Sequence, residues 1–222
     1  MARPKVGVIL SGCGVRDGSE IHEATLTLLE LARCGADAVC AAPDAAQAQV
    51  VDHRKGAPAA ETRNMLTEAA RIARGAIRDL VELHAADIDA LILPGGYGAA
   101  TNLSDFASAG AGCTVRPDVE RLILEMHAAK KPVGAICIAP PIVARVLAKK
   151  GHRARITIGT DPDTAGQIVK MGAEHVACAA DSVVVDEGNK VVSTPAYMLA
   201  KGIDEVAVGI SKLVREVVRL VP

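Results

Sequence analysis

The chain has 222 residues, half of them hydrophobic, yet only one Phe, two Tyr and no Trp, so its core has to be aliphatic and alanine-rich, on the scale of one α/β domain. Lys plus Arg number 25 against 26 for Asp plus Glu, a net charge of −1, and the two signs are interspersed, which excludes the charge footprint of a nucleic-acid or anionic-membrane binder. No apolar run reaches the ~18 residues of a membrane span, and the first residues pass directly into a strand pattern with no secretory or transit signal, so a reducing cytoplasmic setting is expected.

In chain order, residues 5–11 (K-V-G-V-I-L-S) are apolar and β-branched and end in the turn Gly12-Cys13-Gly14, the pattern of a central parallel strand buried on both faces. Helical spacing follows from Ser19, a plausible N-cap, to Gly35, a plausible stop. Residues 36–41 read as a second strand, 44–60 as a loop, 61–73 as a helix ended by Gly75, and 79–86 as another short helix. Residues 89–94 form a third strand that runs into Gly95-Gly96. Residues 116–130 read as an amphipathic helix with Pro117 in its first turn. Residues 131–136 are the fourth strand, breaking at Cys137 into a helix that reaches about 150. A short strand at 156–159, a helix at 161–171, a β-hairpin at 183–193 with E-G-N-K as its turn, and a long amphipathic helix at 203–221 complete the chain.

Strands alternating with helices through Gly-rich turns imply a mostly parallel sheet covered on both faces, and no composition break divides it, so a single domain spanning 1–222 is expected. In such sheets ligands gather beyond the carboxyl ends of the strands. Cys13, the Gly95-Gly96 turn and Cys137 all fall there. Cys137 stands at a strand-to-helix elbow, where the N–H groups of a helix start favour thiolate over thiol; it is the expected nucleophile. The other cysteines (Cys34, Cys40, Cys113, Cys178) are scattered, with no C-x-x-C pair and no metal-like cluster with His, so neither metal nor cofactor is expected.

Three motifs in order, E-x-x-E at Glu20 and Glu23, L-P-G-G-x-G-A-x-x-N-L over 93–103, and A-I-C-x-x-P over 135–140, resemble the DJ-1/PfpI superfamily, a class I glutamine amidotransferase-like branch. The strings S-G-C-G-V-x-D-G-S-E-I-H-E and T-P-A-Y-M-L-A are similar to its enhancing-lycopene-biosynthesis (ElbB-type) group. The resemblance implies a three-layer αβα, flavodoxin-like fold and a homodimer. It also implies Cys137 as nucleophile, Glu23 as its acid/base partner, and N–H groups of Gly95, Gly96 and Ile138 as oxyanion donors. His22, Cys13 and Tyr97 are smaller candidates for the pocket. Two departures stand out: Ile138 follows the nucleophile where many members have His, and Thr194-Pro195-Ala196 replaces the His-Pro-Glu of true amidotransferases. Protease and glutaminase chemistry therefore lack a base. A thiolate and one carboxyl of raised pKa suffice for glutathione-independent glyoxalase chemistry on glyoxal or methylglyoxal. The alternative expectation is a non-enzymatic redox sensor that oxidises at Cys137, linked through the resemblance to isoprenoid synthesis.

Overall fold

In the computed structural model, which describes residues 3–222, the strands are β1 (Lys5–Ile9), β2 (Asp37–Ala42), β3 (Val51–Asp52), β4 (Ala57–Pro58), β5 (Ile77–Asp79), β6 (Ala90–Leu93), β7 (Val133–Ile136), β8 (Arg155–Ile156), β9 (Glu174–His175), β10 (Val184–Asp186) and β11 (Val191–Thr194). The helices are α1 (Ile21–Arg33), α2 (Met65–Ile72), α3 (Tyr97–Thr101), α4 (Phe106–Ala109), α5 (Pro117–Ala128), α6 (Pro140–Ala148), α7 (Pro162–Lys170) and α8 (Ile203–Arg219). Seven strands form the main sheet in the order β10-β11-β7-β6-β1-β2-β5. All its pairings are parallel except β10 with β11. Two-stranded pieces, β3 with β4 and β8 with β9, lie apart from it.

The apolar runs read from the sequence sit where burial on two faces demands them. β6 and β7 are buried at every position, and β1 is buried from Val6 onward. One core layer packs Leu122, Ile123, Met126, Val143, Leu147 and Ile168 from α5, α6 and α7 against one face. The other packs Ala24, Leu31, Ala69, Ile210, Leu213 and Val217 from α1, α2 and α8 against the opposite face. This is a mostly parallel αβα sandwich of flavodoxin type. From β1 the chain winds outward to β2 and β5, then returns to β6 and winds the other way. The switch lies between β1 and β6, and the crevice beyond their carboxyl ends is where the Gly12–Gly18 and Gly95–Gly98 turns meet: Gly98 donates its N–H to the Gly18 carbonyl at 2.9 Å.

Several boundaries move for local reasons. Glu20, not Ser19, caps α1, accepting the Glu23 N–H at 2.7 Å, while the Ser19 hydroxyl accepts the Ser11 N–H at 2.8 Å and ties turn to strand. The helix expected from 61 begins only at Met65, because Asn64 supplies the cap by accepting from Thr67 N–H. The short helix expected at 79–86 is the edge strand β5 followed by one 3₁₀ turn at Leu80–Glu82. The stretch 44–60 is an excursion carrying the β3–β4 pair. The strand expected at 156–159 is β8, only two residues long. The β10–β11 hairpin and α8 lie close to where the sequence places them.

Candidate active site

β7 ends at Ile136, and the next residue, Cys137, takes a left-handed backbone with φ +60°. For a residue with a Cβ this costs on the order of 1–2 kcal/mol. The elbow holds because the Cys137 N–H donates to the Thr194 carbonyl at 2.9 Å and the Ala139 N–H to the Ile136 carbonyl at 3.0 Å. α6 then opens on Pro140, whose absent N–H would have had no partner.

Glu23 sits in the first turn of α1, fully buried. Its carboxyl accepts the Gly95 N–H at 2.9 Å and the Tyr197 N–H at 3.3 Å, and it sits beside Cys137, both side chains crowding Gly95. Burial is the main force raising its pKa, to about 8, with the negative charge of Glu20 adding to it; the contacts to Tyr197, Cys137 and Gly95 pull the other way. At neutral pH Glu23 is therefore mostly a carboxylic acid, able to hand a proton to the sulfur or to anything bound there.

Cys137 corrects the sequence reading in one respect. The N–H groups of Gly96 and Ile138 pull its pKa down, but burial, followed by the Glu23 charge, pushes the thiol well above its ordinary value. Desolvation outweighs two partial charges. Nor does the residue stand clear of the sheet, since only 8% of its surface is accessible. At rest the sulfur is a sheltered thiol beside a sheltered acid, rather than an exposed thiolate.

The glycine turn is a matter of space. A Cβ at Gly95 would lie 2.4 Å from the Cys137 Cβ and 2.6 Å from the Glu23 Oε2; at Gly96, where φ is +95°, it would meet the Glu20 backbone nitrogen at 2.3 Å. The oxyanion set also needs correction. Gly95 has given its N–H to Glu23, so the N–H groups left to act on the sulfur are those of Gly96 and Ile138.

The smaller candidates separate. His22 is exposed and reaches the site only at one remove, its Nδ1 lying 2.7 Å from the Tyr197 hydroxyl. Tyr97 is 47% exposed and stands between two hollows. One, of about 510 Å³, is lined by Val15, Arg16, Gln49 and Pro58; the other, of about 400 Å³, by Phe106, Ile138, Asp163 and Gln167. Cys13 has other neighbours: the charges acting on its half-buried thiol are Glu68, Arg71, Asp17 and Arg63. Asn102 brackets the turn, donating to the Ser11 and Asp17 carbonyls at 2.8 Å each and accepting from Ala48. Among the described residues no cluster of three or more His, Cys, Asp or Glu is arranged to hold a metal ion.

Sequence reasoning missed Tyr197, whose N–H holds the acid and whose neighbour Ala196 is again left-handed at φ +43°. Its signal was the T-P-A-Y string, noted there only as a likeness. It also missed Glu20 as the charge that loads Glu23.

A cysteine on a left-handed elbow, a helix-borne glutamate against it and a double-glycine turn closing over both, on this sheet, define a class. The chain belongs to the DJ-1/PfpI family, whose model matches residues 13–200. It is 45% identical to the ES1 protein homolog, mitochondrial, of Rattus norvegicus, over 98% of this chain and 84% of that protein. It is 46% identical to the glutamine amidotransferase-like class 1 domain-containing protein 3, mitochondrial, of Homo sapiens, over 97% and 83%. Among solved structures, an isoprenoid biosynthesis protein with amidotransferase-like domain from Ehrlichia chaffeensis superposes with TM-score 0.92 at 40% identity, covering 99% of this chain and all (100%) of that one. Drosophila melanogaster DJ-1beta, at 19% identity and TM-score 0.54, shares the fold. The expected cytoplasmic setting is overturned by the curated relatives, which are named mitochondrial. A strand pattern reports packing, so the first strand carries no information about compartment.

Proposed function

We propose that this chain is a cofactor-independent glyoxalase that turns an α-oxoaldehyde and water into a 2-hydroxy acid. The observation that carries the reading is the buried Glu23 carboxyl, pushed up to about 8, beside the Cys137 thiol. The sulfur adds to the aldehyde carbon, a carbon–sulfur bond forms, and the thiol proton passes to the carbonyl oxygen, held by the Gly96 and Ile138 N–H groups. Glu23, in its ionised form, takes the proton from that carbon, giving an enediolate with the charge on the neighbouring oxygen. It returns that proton to the neighbouring carbon while the hydroxyl proton passes from the first oxygen to the neighbouring one, leaving a thioester. Water adds to the thioester, the carbon–sulfur bond breaks, and the thiol is restored. One water is consumed, and no electrons leave the substrate–water pair.

A pKa near 8 suits an acid that must both hold and release a proton around neutrality. The redox-sensor alternative needs an exposed, low-pKa thiol, and the burial of Cys137 argues against it. An amidotransferase reading lacks its histidine: Thr194 gives its hydroxyl to the Ser182 carbonyl at 2.8 Å instead. From its relatives' names, the setting would be mitochondrial, with the isoprenoid description of the Ehrlichia neighbour as physiological context. The test is lactate formation from methylglyoxal without glutathione. Cys137→Ser should abolish it and Glu23→Gln should reduce it at least about a hundredfold. An inactive wild type, or full turnover by Cys137→Ser, would sink the proposal.

A further inference from the structure

At the edge of the sheet opposite Cys137, the end of α5, the loop after α6 and the β10–β11 turn enclose a hollow of about 550 Å³ lined by His127, Lys130, His152, Asn189 and Lys190, among others. No acidic side chain lines it. The acids of the adjoining turn are already engaged: Asp186 accepts from the Asn189 side chain at 2.8 Å, and Glu187 pairs with Arg219 at 3.0 Å. The two imidazoles lie against each other at a tilt of 48°, with centroids 4.3 Å apart. Neither ring has a hydrogen-bond or ion-pair partner among the described residues, nor does the Lys130 ammonium; Lys190 Nζ reaches the Leu220 carbonyl at 3.2 Å.

The backbone adds an independent observation. Among the described residues, five other than glycine have positive φ: Arg74, Lys130, Cys137, Lys190 and Ala196. Two of these build the Cys137–Glu23 site, and two are the lysines of this hollow. Lys130, at φ +55°, occupies the position after a helix where glycine is the usual residue. Lys190, at φ +57°, occupies a hairpin turn where Asn or Gly would be at ease. The negative end of α5 accounts for a cation at Lys130 or His127. It does not account for Lys190, which comes from a different element and converges on the same space. Strained positions retained by a charged side chain point to use of that charge.

We propose that this hollow binds the phosphate or diphosphate group of a small molecule, with Lys130 and Lys190 supplying fixed charge and His127 and His152 supplying N–H donors. The proposal is independent of the chemistry at Cys137.

The test is calorimetric titration of the full chain with inorganic pyrophosphate and with inorganic phosphate at fixed ionic strength, against sodium chloride. Saturable binding of either oxyanion, weakening as salt rises, is expected; tighter binding of pyrophosphate assigns a diphosphate ligand, equal binding a single phosphate group. Lys130→Gly removes the side chain and also relieves the backbone, so Tm should rise while affinity falls at least about tenfold. The paired substitution His127→Asn with His152→Asn should weaken binding by a similar factor in a folded protein. Absence of saturable heat from both oxyanions, or wild-type affinity in Lys130→Gly, would overturn it.

Discussion

Glu20 caps the helix that carries Glu23 by accepting the Glu23 backbone N–H at 2.7 Å, and so holds a negative charge next to the carboxyl it positions. One contact fixes the acid in place and opposes its ionisation. Burial remains the larger cause. Glu20→Gln should keep a weaker cap and lower the Glu23 pKa from about 8, without returning it to its ordinary 4.5. In a pH–rate profile of oxoaldehyde turnover, the limb assigned to Glu23 should move to lower pH. An unmoved limb would show that the Glu20 charge is screened.

The same raised pKa makes stability depend on pH. The folded protein holds the Glu23 proton more tightly than the unfolded chain, so this contribution is complete below pH 4.5. It declines as pH rises through the interval to about 8 and is absent above it. The loss should amount to roughly 3 to 5 kcal/mol. Glu23→Gln carries no such proton. Urea denaturation at pH 5 and pH 9 should show wild type losing stability on this scale relative to the variant. Parallel behaviour of the two proteins would mean that the acid is ionised in the fold.

Cysteine reactivity separates the sheltered-thiol description from an exposed thiolate. Burial raises the pKa of all four thiols, but Cys13, Cys34 and Cys178 are partly exposed, whereas Cys137 is buried and raised well above its ordinary value. Iodoacetamide or peroxide at pH 7, read by mass spectrometry, should modify those three before Cys137. Preferential modification of Cys137 would revive the sensor reading.

Two glycine-to-alanine substitutions should move in opposite directions. At Gly95 the new methyl would collide with Cys137 and Glu23, so Tm should drop, at a cost of about 1–3 kcal/mol or more, and turnover should vanish. At Gly166, inside α7, an added Cβ meets nothing within 4 Å, and alanine should stabilise by about 0.5–1 kcal/mol.

The sheet was legible because its strands β1, β6 and β7 are buried on both faces and so read as unbroken apolar runs. The turns at their ends drew attention to Cys137 and the Gly95-Gly96 pair, whereas Glu23, on a helix, and the N–H groups of Gly96 and Ile138 entered only through the family resemblance. β5 and β9 escaped, and β8 was placed but overextended, because two or three residues show no period and their strand character comes from neighbours distant in the chain. The state of the sulfur also escaped. Sequence displays the helix start that would stabilise a thiolate, but not the depth of burial that outweighs it. Gly95 illustrates the same limit: its place in the turn was clear, but the direction of its N–H, toward Glu23 at 2.9 Å, depends on packing.

Glu23 and the Tyr197 N–H that holds it are 174 residues apart in the chain. A centre stitched from such remote stretches cannot assemble piecemeal during synthesis, because its last part emerges long after its first. Ribosome-stalled or proteolytically nicked fragments lacking either stretch would retain local helices and strands but no working thiol–acid pair.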